Sequence, residues 1–351
     1  MLTKKEVQEI KEHLSKAQNP LFLFDNDQDG LCSFLLLRKY IGRGKGVPIK
    51  SFPDLSKDYL SKASEFNSDY IFILDKPVVS EKFFEEAEKI NIPIVWIDHH
   101  EIDKNLVPSF VNYYNPIFNK PKKEEPVTAL CYQISGRKED MWIAVAGCIS
   151  DKFVPDFYEN FEKKYPDLVV KSKDPLDIFY KSQIGKIARM IGFGLKDRTT
   201  NVMNMIRFLI DAKNPYDALE ENTKNHTMHE RFKVIDLKFQ KIFDKAISIG
   251  RENKKFIFFK YGGDMSMSGD LSNKLSYFFP KKIIAVIYVK GIKGNISMRG
   301  KKCRNVLVKA IEGIEGARGG GHEDAVGGQI KAKDIERFKE NIESILKSSK
   351  R

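Results

Sequence analysis

Three aspartates at alternate positions form the first group of candidate functional residues. Asp25, Asp27 and Asp29 stand in the segment FDNDQDG, directly after an apolar run at residues 21–24. Carboxylates this close repel one another unless a cation neutralises them, and hard oxygen ligands suit Mg²⁺ or Mn²⁺. An EF-hand calcium loop is excluded, because its twelfth position must carry a Glu and holds Leu36 here. The alternative to a metal site is an acidic turn that caps the following helix.

A second group follows another apolar segment. The sequence IDHHE places Asp98, His99 and His100 side by side in a chain with only six histidines. Imidazole adds affinity for Mn²⁺, Zn²⁺ or Fe²⁺ that a pure carboxylate site lacks. Asp75 ends the apolar run YIFIL and Asp151 follows IAVAGCIS, although each alone would be an ordinary end of a strand or helix. Acidic residues thus close apolar elements repeatedly, which predicts one shared metal centre.

The elements that must position these residues are predicted from hydrophobic periodicity. Strands of four to six residues separated by helical segments favour a parallel α/β sheet, whose ligands bind at the carboxyl ends of the strands. The predicted strands of this part lie at residues 21–24, 70–74, 92–97 and 109–114. The predicted helices follow at residues 31–40, 127–134 and 141–150, after an amphipathic helix at the start of the chain. The acids and histidines therefore lie at the ends of elements rather than inside them.

The pattern changes in the second half of the chain. Residues 174–249 show helical periodicity alone, with helices predicted at 184–195, 202–212 and 226–249. Aromatic and β-branched residues then predict strands at 256–261, 283–289, 295–299 and 327–332, before a charged C-terminal helix. A helical segment therefore separates two regions that contain strands.

Composition and charge narrow the class of protein. The chain has 351 residues, and this length favours two domains. Its net charge of +12 suits anionic partners, although a surface rich in solvated lysine would give the same value. The four cysteines show no pairing pattern and are expected to be reduced in a cytoplasmic protein. The N-terminus lacks the apolar stretch of a signal peptide, and no window approaches a membrane span.

A glycine-rich motif lies near the C-terminus. The segment ARGGGHEDAVGG contains Gly319, Gly320, Gly321 and His322. Glycines let backbone N–H groups approach a phosphate closely, and the histidine can donate a hydrogen bond to it. The alternative for a lone triple glycine is a flexible loop.

These motifs together resemble the DHH phosphoesterase superfamily, in its RecJ-like and nanoRNase-like branch. FDNDQDG resembles the first motif of that family, LDKP the second, IDHH the third and GCISD the fourth, in the same order. GGGH resembles the substrate-binding loop of the DHH-associated C-terminal domain, and GNISMRG resembles a strand of that domain. The resemblance implies an α/β fold: a parallel-sheet DHH domain at residues 1–185, a helical connector at 186–250, and a smaller domain with a mixed sheet at 251–351.

The resemblance also implies roles for individual residues. One metal ion would be held by Asp25, Asp27 and Asp75, and a second by Asp29, Asp75, His99 and Asp151. Asp98 would support a histidine, and His100 would lie near the scissile phosphate. Ser297, Arg299, Gly319, Gly320, Gly321 and His322 would bind substrate, with Arg299 and His322 also neutralising charge in the transition state. Two Mn²⁺ ions are the implied cofactor, with Mg²⁺ as the alternative.

The implied activity is hydrolysis of single-stranded DNA, RNA or short oligonucleotides to mononucleotides. Asp25 matches the RecJ-like nucleases, because many other members of the family begin this motif with histidine. Glu323 and Val326 depart from the commoner Pro and Ala, which leaves end recognition open. A phosphodiesterase for cyclic dinucleotides and a phosphatase for bisphosphorylated adenosine are the enzymatic alternatives. A replication or repair scaffold related to RecJ is the alternative of another class, and docking to replication or repair proteins is compatible with an active enzyme.

Overall fold

The structure is a computed structural model that describes residues 1–51, 54–120, 122, 124–252 and 256–348. The chain forms two compact units, Met1–Phe232 and Lys233–Arg351. The helices between residues 186 and 232 belong to the first unit. The division into three parts at residues 185 and 250 stays a prediction.

The first unit is built on a five-stranded, wholly parallel sheet. Its strands are β1 (Pro20–Asp25), β2 (Lys45–Ile49), β3 (Tyr70–Leu74), β4 (Ile94–Ile97) and β5 (Val111–Tyr114), in the order β2-β1-β3-β4-β5. Its helices are α1 (Lys4–Lys16), α2 (Gln28–Ile41), α3 (Leu60–Glu65), α4 (Glu81–Lys89), α5 (Val127–Ser135), α6 (Met141–Ser150), α7 (Tyr158–Lys164), α8 (Pro175–Lys181), α9 (Gln183–Leu195), α10 (Thr199–Asp211) and α11 (Pro215–Leu219). The prediction of a parallel α/β sheet is confirmed.

Alternate residues of the inner strands supply two separate cores. Phe22 and Phe24 of β1 pack in one core with α2, α5 and α6, whereas Leu21 and Leu23 pack in the other with α3 and α4. Strands buried on both faces read as continuous apolar runs, which explains why β1, β3 and β4 were predictable. Strand β2 was missed because its Gly46 and Pro48 argue against a strand, and a proline is tolerated here because β2 is an edge strand.

The second unit carries a mixed sheet, as predicted. A long helix, α12 (His226–Glu252), begins in the first unit and runs into the second. The other elements of the second unit are β6 (Phe256–Gly262), α13 (Ser268–Phe278), β7 (Ile283–Lys290), β8 (Lys293–Arg299), α14 (Cys303–Ile311), β9 (Arg318–His322), β10 (Ala325–Lys331) and α15 (Ile335–Ser348). The sheet order is β6-β7-β8-β10-β9, with β6 and β7 parallel and the other pairs antiparallel.

One expectation for the second unit is wrong. The glycine-rich segment was predicted to be a loop, but Arg318–His322 is strand β9 at the edge of the sheet. Every residue of β9 is exposed, so the segment lacks the buried alternation by which strands are recognised in sequence. Its pairing with β10 over five residues, from Arg318–Gln329 to His322–Ala325, makes it a strand.

Two further features bear on the class of protein. Among the helices that the structure describes, none combines the length and the apolar character needed to cross a bilayer. The four cysteines are free and buried.

Candidate metal centre

The carboxyl edge of the parallel sheet gathers acidic residues from three neighbouring strands. Asp25 is the last residue of β1, and Asp75 and Asp98 directly follow β3 and β4. Because these strands are hydrogen-bonded neighbours with one direction, their ends meet at the same edge. Asp75 and Asp98 are buried, with only 3% and 0% of their surface exposed. Buried carboxylates at this edge need a cation or hydrogen-bond donors to offset the loss of water.

The imidazole of His99 lies among three carboxylates. Its Nε2 atom is 3.4 Å from Oδ1 of Asp75, 3.8 Å from Oδ2 of Asp151 and 4.0 Å from Oδ2 of Asp29. Two ligands of one octahedral ion, each about 2.1 Å from it, lie about 3 Å apart at right angles and about 4.2 Å apart in trans. His99 therefore lies at ligand spacing from each carboxylate, and Asp29, His99 and Asp151 are close enough to share one ion, as are Asp75, His99 and His100. Burial lowers the pKa of His99 despite the nearby carboxylates, which favours the neutral ring that binds metals.

Asp75 is held in an unusual conformation with an unsatisfied oxygen. Its φ angle is +59°, a left-handed conformation that is uncommon for a residue other than glycine. Its Oδ1 atom is buried and accepts no hydrogen bond from the described part of the chain. Burial, followed by the charges of Asp29 and Asp27, raises the pKa of Asp75 well above its usual value. A buried carboxylate oxygen that accepts no hydrogen bond and lies 3.4 Å from His99 Nε2 fits a metal ligand.

The other two members of the aspartate triplet after Asp25 also have structural partners. Asp27 caps helix α2, since its Oδ1 atom accepts the N–H of Gly30 at 3.0 Å. Asp29 is 3% exposed and accepts the N–H of Val127 at 2.9 Å and that of Thr128 at 2.7 Å, both in the first turn of α5. A carboxylate oxygen has more than one lone pair, so these bonds leave room for a metal. Asp27 therefore confirms the capping interpretation, and metal binding by the triplet stays a prediction.

The next histidine forms a charge pair. His100 Nδ1 lies 2.9 Å from Oδ1 of Asp98, which is fully buried. Burial alone would lower the pKa of His100, but the hydrogen bond to Asp98 and the charges of Asp98 and Asp151 raise it to about 9. Asn115 donates its side-chain N–H to the backbone oxygen of His100 at 2.8 Å. His100 is therefore a positioned cation at neutral pH.

Lys76 belongs to the LDKP motif but was not predicted to be a site residue. Its Nζ atom lies 3.0 Å from Oδ1 of Asp25, and its side chain is 5% exposed. Lys76 lines the same cavity of about 450 Å³ as the acids and histidines. The acidic, basic and histidine side chains of that lining are Asp25, Asp27, Lys50, Asp75, Lys76, His99, His100, Asp151 and Lys196. The cavity therefore offers basic as well as acidic groups.

The predicted ligands fall into two sets. Among the described residues, the groups of atoms close enough to share an ion are Asp75, His99 and His100, and Asp29, His99 and Asp151. The ligands expected for one ion, Asp29, Asp75, His99 and Asp151, are divided between these two groups, which share His99. Asp25 and Asp27, expected at the other ion, belong to neither group. The donor set around His99 fits a divalent ion, and the set around Asp25 is already shared with a lysine.

Four of the predicted substrate-binding residues, Ser297, Arg299, Gly320 and His322, share one face of the sheet in the second unit, whereas Gly319 and Gly321 occupy the alternate positions of β9 and belong to the opposite face. Arg299 of β8, Ala325 of β10 and His322 of β9 form one row across the sheet, and Ser297, Gly327 and Gly320 form the row two residues along. Residues in register share a face of the sheet. Gly320 and Gly327 therefore add no side chain to the face that carries Ser297, Arg299 and His322. Arg299 Nε donates to Oδ1 of Asn273 at 2.6 Å, and Ser297 Oγ donates to Ser268 Oγ at 3.0 Å.

Known proteins resemble both units of this chain. Residues 253–348 match the family model of the DHHA1 domain. The chain is similar to the structure of RecJ from Thermus thermophilus in complex with Mn²⁺, with a TM-score of 0.71 and 14% identity. This match covers 97% of the chain and 54% of RecJ, so the chain spans about half the length of that protein. The chain has the RecJ-like DHH fold.

Two further solved structures match this chain over nearly their full length. An exonuclease RecJ bound to manganese matches with a TM-score of 0.67 and 14% identity, covering 98% of this chain and 94% of that one. The DHH domain of a member of a ribosomal protein family matches with a TM-score of 0.69 and 15% identity, covering 98% and 92%. No curated protein sequence matches the chain. At these identities the matches establish the fold.

Proposed function

We propose that the protein is a metal-dependent phosphodiesterase that hydrolyses single-stranded DNA, RNA or short oligonucleotides to mononucleotides. The observation that carries the proposal is the arrangement of Asp29, Asp75 and Asp151 around Nε2 of His99 in a RecJ-like fold. Such a donor set, three carboxylates and one neutral imidazole, favours Mn²⁺ over Mg²⁺. Two ions are proposed, the second at Asp25, Asp27 and Asp75.

Each group of the chain has a proposed task. Divalent ions in such a centre polarise a phosphoryl oxygen and acidify a water molecule at neutral pH. His100, held as a cation by Asp98, would donate a hydrogen bond to the phosphate and offset its developing charge. In the second unit, Arg299, His322 and Ser297 would bind a substrate phosphate over the bare strip formed by Gly320 and Gly327. Association with replication or repair proteins is a further prediction.

The test is a cleavage assay on end-labelled single-stranded RNA and DNA, from two to about thirty nucleotides, with Mn²⁺ or Mg²⁺. We expect metal-dependent release of mononucleotides, and its loss in Asp75→Ala, which removes the carboxylate shared by both proposed sites. Asp156→Ala is the matched control, because this aspartate is exposed and lies five residues beyond Asp151. If neither metal supports cleavage of any oligonucleotide, the proposal is wrong.

A further inference from the structure

Lys76 is a buried cation inside the candidate metal centre. Its Nζ atom lies 3.0 Å from Oδ1 of Asp25 and donates to the backbone oxygen of Ser51 at 3.4 Å. The backbone of Lys76 is itself fixed, because Trp96 Nε1 donates to its oxygen at 3.1 Å. With 5% of its side chain exposed, Lys76 is held in this position by the fold rather than swinging in solvent.

The conformation of Asp75 explains why Lys76 faces the site. Successive residues of a strand point to opposite faces of the sheet, so the residue after a metal ligand would ordinarily point away. The φ angle of +59° at Asp75 ends this alternation, and both Asp75 and Lys76 line the cavity. The turn therefore presents a carboxylate and an ammonium group side by side.

The two predicted ion sites consequently differ in what surrounds them. Asp29, Asp75 and Asp151 lie 3.4–4.0 Å from Nε2 of the His99 imidazole. Asp25 instead lies beside the ammonium group of Lys76, whose Nζ atom is 3.0 Å from Oδ1 of Asp25. A divalent ion that binds Asp25, whose side chain is 31% exposed, has to share this carboxylate with a fixed positive charge that repels it at close range. Lys76 would therefore compete with an ion bound at Asp25 but not with an ion bound around His99.

We propose that Lys76 makes the two ion sites unequal, a proposal that rests on the metal centre of the proposed function. The ion at Asp29, Asp75, His99 and Asp151 binds tightly. The ion at Asp25 and Asp27 binds weakly, in competition with the Lys76 ammonium group. Lys76 acts as a positioning residue that sets metal occupancy through Asp25, and the enzyme holds its full set of ions only at high metal concentration.

The test is a Mn²⁺ titration of the metal-free full-length protein, followed by calorimetry and by the electron paramagnetic resonance signal of free Mn²⁺. We expect one tight ion and a second that binds roughly tenfold or more weakly. Lys76→Met keeps the length of the side chain without its charge and should tighten the second ion roughly tenfold. Lys76→Arg retains the charge and should keep unequal sites, whereas Asp25→Asn should lose the second ion and keep the first.

Several results would overturn the inference. Two equally tight ions in the unchanged protein would do so, as would a Lys76→Met protein that is folded by circular dichroism and binds the second ion no better. Binding of no divalent ion would also overturn it. Cleavage of oligonucleotides is measured separately: unequal sites without cleavage would sink the proposed function alone, and cleavage with two equal sites would sink this inference alone.

Discussion

Thr128 donates its backbone N–H to Oδ1 of Asp29 over 2.7 Å, although the two residues lie 99 positions apart in the chain. The Thr128 hydroxyl also donates to the backbone oxygen of Asp29 at 3.0 Å. Together with the Val127 N–H, these bonds join the first turn of α2 to the first turn of α5. Asp29 is therefore a structural link as well as a proposed metal ligand.

Asp29→Ala is expected to destabilise the metal-free protein by about 2–3 kcal/mol, because two buried N–H groups lose a charged acceptor. Asp29→Asn should cost less, since its single carbonyl oxygen can still accept one of the two N–H groups. Urea unfolding of the metal-free proteins measures both changes. Asp156→Ala, at an exposed position, should stay within about 0.5 kcal/mol of the unchanged protein. Equal stability of Asp29→Ala would refute the structural role.

Gly30→Ala is expected to disturb the centre through packing alone. A Cβ atom at Gly30 would lie 2.4 Å from the backbone oxygen of Asp25, so either β1 or α2 must move. We expect a loss of about 1–3 kcal/mol in stability and weaker Mn²⁺ binding, both measurable by thermal unfolding with and without metal. Gly269→Ala is the control, because a Cβ there meets nothing within 4 Å. Similar behaviour of the two variants would contradict the close packing.

Stabilisation by Mn²⁺ should grow with pH. The pKa of Asp75 is raised in the folded, metal-free protein, so that carboxyl stabilises the fold below its ordinary pKa and this contribution is lost as pH rises toward the folded value. A metal instead requires the deprotonated carboxylate and gains affinity as pH rises. Thermal unfolding between about pH 5.5 and 8.5 should show a widening gap between metal-bound and metal-free protein. The gap should change less in Asp75→Asn.

The charge of His100 should depend on Asp98. The folded pKa of His100 is about 9, against 6.5 ordinarily, so its stabilising contribution is complete below pH 6.5 and is lost as pH rises through about 9. Asp98→Asn removes the charged partner and should lower the pKa of His100 by about one unit or more. Nuclear magnetic resonance titration of labelled histidine in the metal-free protein measures this shift. An unchanged titration in Asp98→Asn would show that another group holds the charge.

Gly320→Ala should separate substrate binding from folding. A Cβ at Gly320 meets nothing within 4 Å, so the second unit has room for it. The added methyl group would cover part of the bare strip beside Arg299 and His322, and we expect KM to rise about tenfold with unchanged thermal stability. Gly269→Ala again serves as the control. Unchanged kinetics would place the substrate elsewhere.

The positions of the acids and histidines relative to the strands could be predicted from the sequence alone. Apolar runs such as that of β3 are readable because both faces of an inner parallel strand are buried. Asp75 and Asp98 directly follow such runs, and parallel strands end at one edge, so their convergence follows from sequence order. In the second unit, aromatic and β-branched residues predicted strands such as β8, whose burial alternates, and the family resemblance implied that its sheet is mixed.

The hydrogen-bond and ion-pair partners of those residues are visible only in the tertiary structure. The bond between Asp29 and Thr128 and the contact between Lys76 and Asp25 join segments 99 and 51 residues apart, and no local pattern encodes such pairs. Two of the four edge strands, β2 and β9, were not predicted, because a strand held by one neighbour needs neither the burial nor the residue types of an inner strand. Local propensity fixes elements and their ends, whereas partners at a site depend on packing between distant segments.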